Sequence, residues 1–101
     1  MKYKADSNRY SDYHFKRCGN SGLDLPKITV GLWHNFGGKK INLESKKIIF
    51  RAFDRGVTHF DLANNYGPPP GSAESNFGKI ISKELKQYLS LIHISEPTRP
   101  Y

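Results

Sequence analysis

Two apolar stretches separated by one amphipathic stretch set the tightest limit on how this chain can fold. Residues 27–33, KITVGLW, are β-branched at Ile28, Thr29 and Val30, the residue types a pleated strand accommodates best. Gly31 marks a point of expected close backbone approach. Residues 42–55 then carry Ile49, Ala52 and Phe53 on one helical stripe, flanked by Ile48 and Phe50, with Lys46, Lys47, Arg51 and Asp54 facing outward. Asn42 is the expected N-cap, Glu44 suits the positive end of the helix, and Gly56 can adopt the left-handed conformation that ends it. Residues 58–62, THFDL, read as the next strand. Strand, helix and strand in this order form a βαβ unit with parallel strands and a right-handed crossover. An α/β fold follows.

Alternation along 58–62 sends His59 and Asp61 to one side, with Ala63 beyond, and Thr58, Phe60 and Leu62 to the other. Asp61 thus sits at the carboxyl end of its strand, where the loops of parallel α/β sheets converge and chemistry is done. Tyr66 follows in the next loop and shares that mouth, as does Trp33 from the end of the first strand. Each has a plainer reading. An Asp before Ala-Asn-Asn forms turns, a Tyr before Gly-Pro is common in loops, and an indole can simply anchor a loop.

The surrounding residues are more specific. HFDLANNYG, followed by Ser72, Ala73, Glu74, Phe77 and Gly78, resembles the aldo-keto reductases, whose second barrel strand ends in an Asp with the acid Tyr a few residues later. GLWHNFGG at 31–38 and YGPPPGSAE at 66–74 resemble one branch of that family, which holds the L-glyceraldehyde 3-phosphate reductases and the voltage-gated potassium channel beta-subunits. The resemblance runs from about residue 3 to about residue 88. It implies the N-terminal part of a (β/α)8 TIM barrel, truncated after a hairpin and the first two βα units, because a whole barrel needs about 250 residues and this chain has 101.

The same resemblance implies NADPH-dependent reduction of small aldehydes, such as L-glyceraldehyde 3-phosphate or methylglyoxal, to alcohols. Tyr66 then matches the proton donor and Asp61 the strand-end aspartate, with roles in catalysis and in holding the cofactor. Trp33 becomes a cofactor-binding wall. A phenol, with a usual pKa of about 10, is a reluctant donor near neutrality. The resembling enzymes help it with a lysine and a histidine from later strands, to which no residue here corresponds. His59 is expected to be a hydrogen-bonded core residue one layer below Asp61, and His34 a loop residue near the mouth. Glu74 resembles an acidic residue of the family and serves equally as a first-turn dipole partner. The alternative implied by the resemblance is a nucleotide-sensing regulatory subunit like the channel beta-subunits. The fragment itself is expected to be inactive and poorly folded, since few strands leave an open sheet edge.

Elsewhere the sequence supplies a frame. Residues 1–12 are polar and aperiodic, an expected arm over the outside of the domain. Residues 13–17 and 23–26 flank a turn cluster at 18–22 and predict a hairpin. Gly37 and Gly38 mark a mobile loop, whereas three consecutive prolines stiffen the loop after Tyr66. Residues 72–88 predict a second helix capped by Ser72, with Phe77, Ile80, Ile81, Leu85 and Tyr88 along its stripe and Gly78 allowing close approach to the sheet.

A net charge of +7 permits nucleic-acid or anionic-lipid contact, but the basic residues are spread through several elements without a sustained block. Neither nucleic acid nor membrane is expected as a partner. The expected partner is a small aldehyde or ketone, and assembly of the full-length protein is left open. Cys18 is the only cysteine, which excludes an internal disulfide and fits a reducing compartment. No signal-peptide core or membrane-spanning run is present, so a cytoplasmic protein is expected. No metal ligands are assigned. The last stretch, LSLIHISEPTRPY at 89–101, holds Leu91, Ile92 and Ile94 where a third strand belongs, then meets two prolines. It resembles a transposase-type sequencing adapter read through as protein. Residues 1–88 are therefore expected to be the barrel fragment and 89–101 a non-native tail, with no catalytic role for His93, Glu96 or Arg99.

Overall fold

The computed structural model describes residues 3–11, 15–33, 35–39 and 41–95. Two short strands, β1 (Phe15–Arg17) and β2 (Asp24–Pro26), pair antiparallel as the expected hairpin, with Phe15 opposite Pro26 and Arg17 opposite Asp24. The chain then alternates β3 (Val30–Gly31), α1 (Leu43–Asp54), β4 (His59–Asp61), α2 (Ser72–Glu84), a 3-10 turn (Lys86–Leu91) and β5 (His93–Ser95). The last three strands form one sheet in the order β3-β4-β5, all parallel. No barrel closes among the described residues; the observed architecture is a mixed α/β layer with short strands.

The ladders are shorter than the sequence predicts. β4 pairs with β3 only at Val30 and Gly31, and Leu32 extends the contact by donating its N–H to the Asp61 carbonyl at 3.0 Å. A strand persists only while a neighbour supplies partners, so residues 27–29 stay outside the ladder and Ile28 is exposed. Gly31 meets no close neighbour where a Cβ would stand, contrary to the expected tight approach.

Helix α1 forms as its composition requires. The Asn42 side chain accepts from the Glu44 N–H at 2.8 Å, and Gly56 takes φ 95° just after the Arg55 cap. Its buried stripe is Ser45, Ile49 and Phe53; Ser45 takes the place expected for Ala52, which is half-buried. Asp54 does not face outward as expected. It is half-buried and accepts from the Tyr3 hydroxyl at 2.5 Å and the Asp6 N–H at 2.9 Å, so it pins the N-terminal arm. Lys46 also turns inward, reaching Glu84 at 2.5 Å to join α1 to α2.

Helix α2 departs from expectation at both ends. Gly71, at φ 86°, is its N-cap, and Ser72 makes no cap bond because its hydroxyl serves another loop. At the far end the helix stops at Glu84 rather than residue 88. Leu85, fully buried, donates its N–H back to Ile80, and the chain tightens so that Tyr88 receives the Ala5 N–H. Gly78 is exposed with open space around it, so it does not bring helix and sheet together.

The core lies between the helices and one face of the parallel sheet. Phe60 points there from β4, packing on Phe77 at 4.9 Å, with Leu32, Ile49, Phe53 and Leu85 also fully enclosed. Burying each such side chain stabilises the fold by about 1.5–3 kcal/mol. The Cα radius of gyration, 13.7 Å, is close to the ~13 Å of a packed chain of this length. Where the tail was expected, β5 completes the open side of β4, its Ser95 carbonyl accepting from Leu62 N–H at 2.7 Å.

Candidate active site

Because Phe60 and Leu62 are drawn into the core, alternation leaves His59 and Asp61 on the opposite face of β4, each half-buried. Asp61 is the last residue of that strand. Tyr66 is brought back to it by a loop that closes on the start of α2. The Tyr66 carbonyl accepts from both the Gly71 N–H at 3.1 Å and the Ala73 N–H at 3.2 Å. Tyr66 is 5% exposed, and its hydroxyl donates to Asp61 Oδ2 at 3.3 Å.

Trp33 follows β3 and remains exposed, with its indole laid on the Tyr66 ring at 6.0 Å between centroids and 20° between planes. The three residues assigned from the sequence therefore converge. Together with Asn65 they line a cavity of about 330 Å³, at the lower end of the range for small-molecule sites. No pattern in the sequence marks Asn65 for this place, although it directly precedes Tyr66.

His59 sits beside this cluster without lining the cavity. Its Nδ1 is 2.8 Å from Thr29 Oγ1 and its Nε2 is 2.5 Å from Ser95 Oγ, so it is hydrogen-bonded as expected, but half-buried rather than in the core. Burial pushes its pKa below the usual imidazole value, the Asp61 carboxylate opposes that shift, and His93 adds to it. His34 lies outside the described residues. Glu74 is exposed in the first turn of α2, as a partner of the helix dipole would be. Cys18 is exposed.

The loop between β3 and α1 is tied down rather than loose. Gly38 donates its N–H to the Ser72 hydroxyl at 3.0 Å, and Asn76 Nδ2 donates to the carbonyls of Phe36 and Gly38, both at 3.2 Å. The sequence did carry a sign of this: Asn76 is a polar residue on the buried stripe of α2, four positions before Ile80.

Among the described residues no helix is long and apolar enough to cross a membrane. No group of His, Cys, Asp and Glu there could hold a metal ion.

Residues 27–95 match the profile of the aldo/keto reductase family. L-glyceraldehyde 3-phosphate reductase of Escherichia coli (strain K12) is 52% identical over 96 residues, covering 94% of this chain and 28% of that protein. The protein of the same name from Escherichia coli O157:H7 matches to the same extent. The chain thus spans just over a quarter, 28%, of the length of these curated relatives. A family match that begins at the first parallel strand and runs through both βα units carries the assignment: this chain belongs to the aldo/keto reductase family.

Proposed function

We propose that the chain is the N-terminal part of a (β/α)8 barrel that reduces small aldehydes, such as L-glyceraldehyde 3-phosphate or methylglyoxal, using NADPH. The observation that carries this reading is the meeting of Asp61 and Tyr66 at the carboxyl end of β4, under the exposed face of Trp33. The 52% identity to L-glyceraldehyde 3-phosphate reductase supports the substrate class.

The residues present fit the nicotinamide end of such a cofactor. Trp33 offers a flat exposed face beside a 330 Å³ cavity that also contains a carboxylate and an amide. When bound, NADPH supplies a hydride to the carbonyl carbon. Tyr66 donates its phenolic proton to the developing alkoxide, and Asp61 orients that phenol. Leu32 and Ala63 are buried in the same hydrophobic cluster as Tyr66, which anchors the ring of the proposed donor. The lysine and histidine that assist the phenol, and the phosphate-binding loops, belong to barrel strands beyond this chain. The chain by itself is proposed to be inactive, since two βα units leave an open sheet edge. Residues 89–101 are proposed to be non-native on their resemblance to a read-through sequencing adapter, although the family match runs on to residue 95; β5 then pairs with β4 because an open edge accepts almost any short extended segment.

The test is NADPH oxidation by the uninterrupted parent protein with either aldehyde. Turnover that survives Tyr66→Phe undiminished removes Tyr66 as the donor. A parent with no reductase activity on any small aldehyde removes the proposal itself.

A further inference from the structure

The loops that bear Trp33 and Tyr66 are joined by polar contacts that the proposed chemistry does not use. Asn76 is among the buried polar side chains, at 5% exposure. Its amide nitrogen donates to Phe36 and Gly38 carbonyls, which lie two residues apart, so one side chain sets the curvature of the backbone between them. Ser72, one turn earlier on α2, accepts from the N–H of the same Gly38. From α1, the Ser45 hydroxyl donates to the Asn35 carbonyl. Both helices therefore grip the loop after β3.

The grip presses that loop on its neighbour. A Cβ on Gly37 would stand 2.6 Å from Ser72 Oγ and 2.8 Å and 2.9 Å from the Cα and C of Gly67. Backbone meets backbone there, one residue beyond Tyr66. A buried amide is costly unless its hydrogen bonds are made, so Asn76 holds these carbonyls rather than filling space. A leucine has the same branching but bulkier methyl groups, so it would crowd the site as well as leave both carbonyls without that donor.

We propose that Asn76, together with Ser72, is a positioning residue: from the first turns of α2 it locks the loop after β3 against the loop after β4, and so keeps the Trp33 indole on the Tyr66 ring. The consequence for cofactor binding rests on the reductase reading; the locking itself does not.

Trp33 is the only tryptophan in the chain, so the indole band of the near-ultraviolet circular dichroism reports its fixed packing, while the far-ultraviolet signal reports the helices. Asn76→Leu and Ser72→Ala are each expected to weaken the indole band, and the double variant to lose it, with the far-ultraviolet signal retained. Lys79→Ala, on the exposed face of α2, alters neither. Should Asn76→Leu lose the helical signal, Ser72→Ala decides, because it leaves the core volume almost unchanged. An indole band that persists in Ser72→Ala and in any folded Asn76→Leu chain overturns the proposal, as does a wild-type chain with no such band.

In the uninterrupted parent protein, Asn76→Leu is expected to raise the Kd for NADPH about tenfold, or ~1.4 kcal/mol, with kcat moving less. If the parent binds no NADPH while the indole band responds to both substitutions, the reductase reading fails and the positioning role stands. Unchanged NADPH affinity with an unchanged band removes the positioning role and leaves the reductase reading intact.

Discussion

The Tyr66 hydroxyl donates to Asp61 across 3.3 Å, a long separation for an O–H···O bond. The two side chains are held by different elements: Asp61 by the ladder of β4, Tyr66 by the N–H groups that open α2. A carboxylate accepts several hydrogen bonds, so this long one does not exhaust Asp61, which can also receive a cationic partner. The reductase reading assigns that place to a lysine from a later strand.

Replacing Tyr66 with Phe in the uninterrupted parent removes the proton and leaves the ring on Trp33. Carbonyl reduction is expected to fall by about 10²–10⁴, the range for a positioned general acid, with NADPH affinity nearly preserved. Single-turnover oxidation of NADPH measures the first quantity and fluorescence titration the second.

Trp33→Ala acts in the other direction. Losing the exposed ring face is expected to weaken NADPH binding by ~0.5–1.5 kcal/mol, the scale of one aromatic stacking contact. Equilibrium titration of the parent variant with NADPH reads this directly, and unaltered affinity would take Trp33 out of the cofactor wall.

Two glycines should respond oppositely to alanine. At Gly37 the new methyl meets the Gly67 backbone at under 3 Å, so overpacking is expected to cost ~1–3 kcal/mol. Gly78 lies on an exposed helix face with open space around it, and alanine there should add about 1 kcal/mol through helix propensity. The urea midpoints of the two variants, measured side by side, test the pair.

Acid should weaken the fold through His59. Burial lowers its folded pKa, so the folded state binds its proton less readily than the unfolded chain does. Above the unfolded value of about 6.5 both states are neutral and this contribution to stability is fully present. As pH falls from that value through the lower folded one, the unfolded state protonates first and stability is lost. The urea midpoint is expected to be lower at about pH 5.5 than at about pH 7.5, and the difference to shrink in His59→Gln. The groups facing the ring are Thr29, Asp61, His93 and Ser95.

The tail proposal has a direct readout in the source DNA. An uninterrupted reading frame is expected to leave the present sequence near Tyr88 and to encode a lysine and a histidine at the ends of the next two strands. Genomic sequence that runs through codons 89–101 in an intact locus would end the idea.

What the sequence alone determined were features whose causes are local. The α1 stripe, its Asn42 cap and Gly56 stop, the hairpin, and the order strand, helix, strand all follow from spacing and residue type. So does the face that Asp61 takes, since period-two alternation leaves it no other once Phe60 and Leu62 enter the core. Tertiary structure decided the rest. Ser72 reads as a helix cap from its position, yet its hydroxyl goes to Gly38; Asp54 reads as a surface acid, yet it binds the Tyr3 arm. Gly37 and Gly38 read as a loose loop, yet Asn76 holds them. In each case the deciding partner lies more than thirty residues away, and a polar side chain with several possible partners takes the one that burial places in reach.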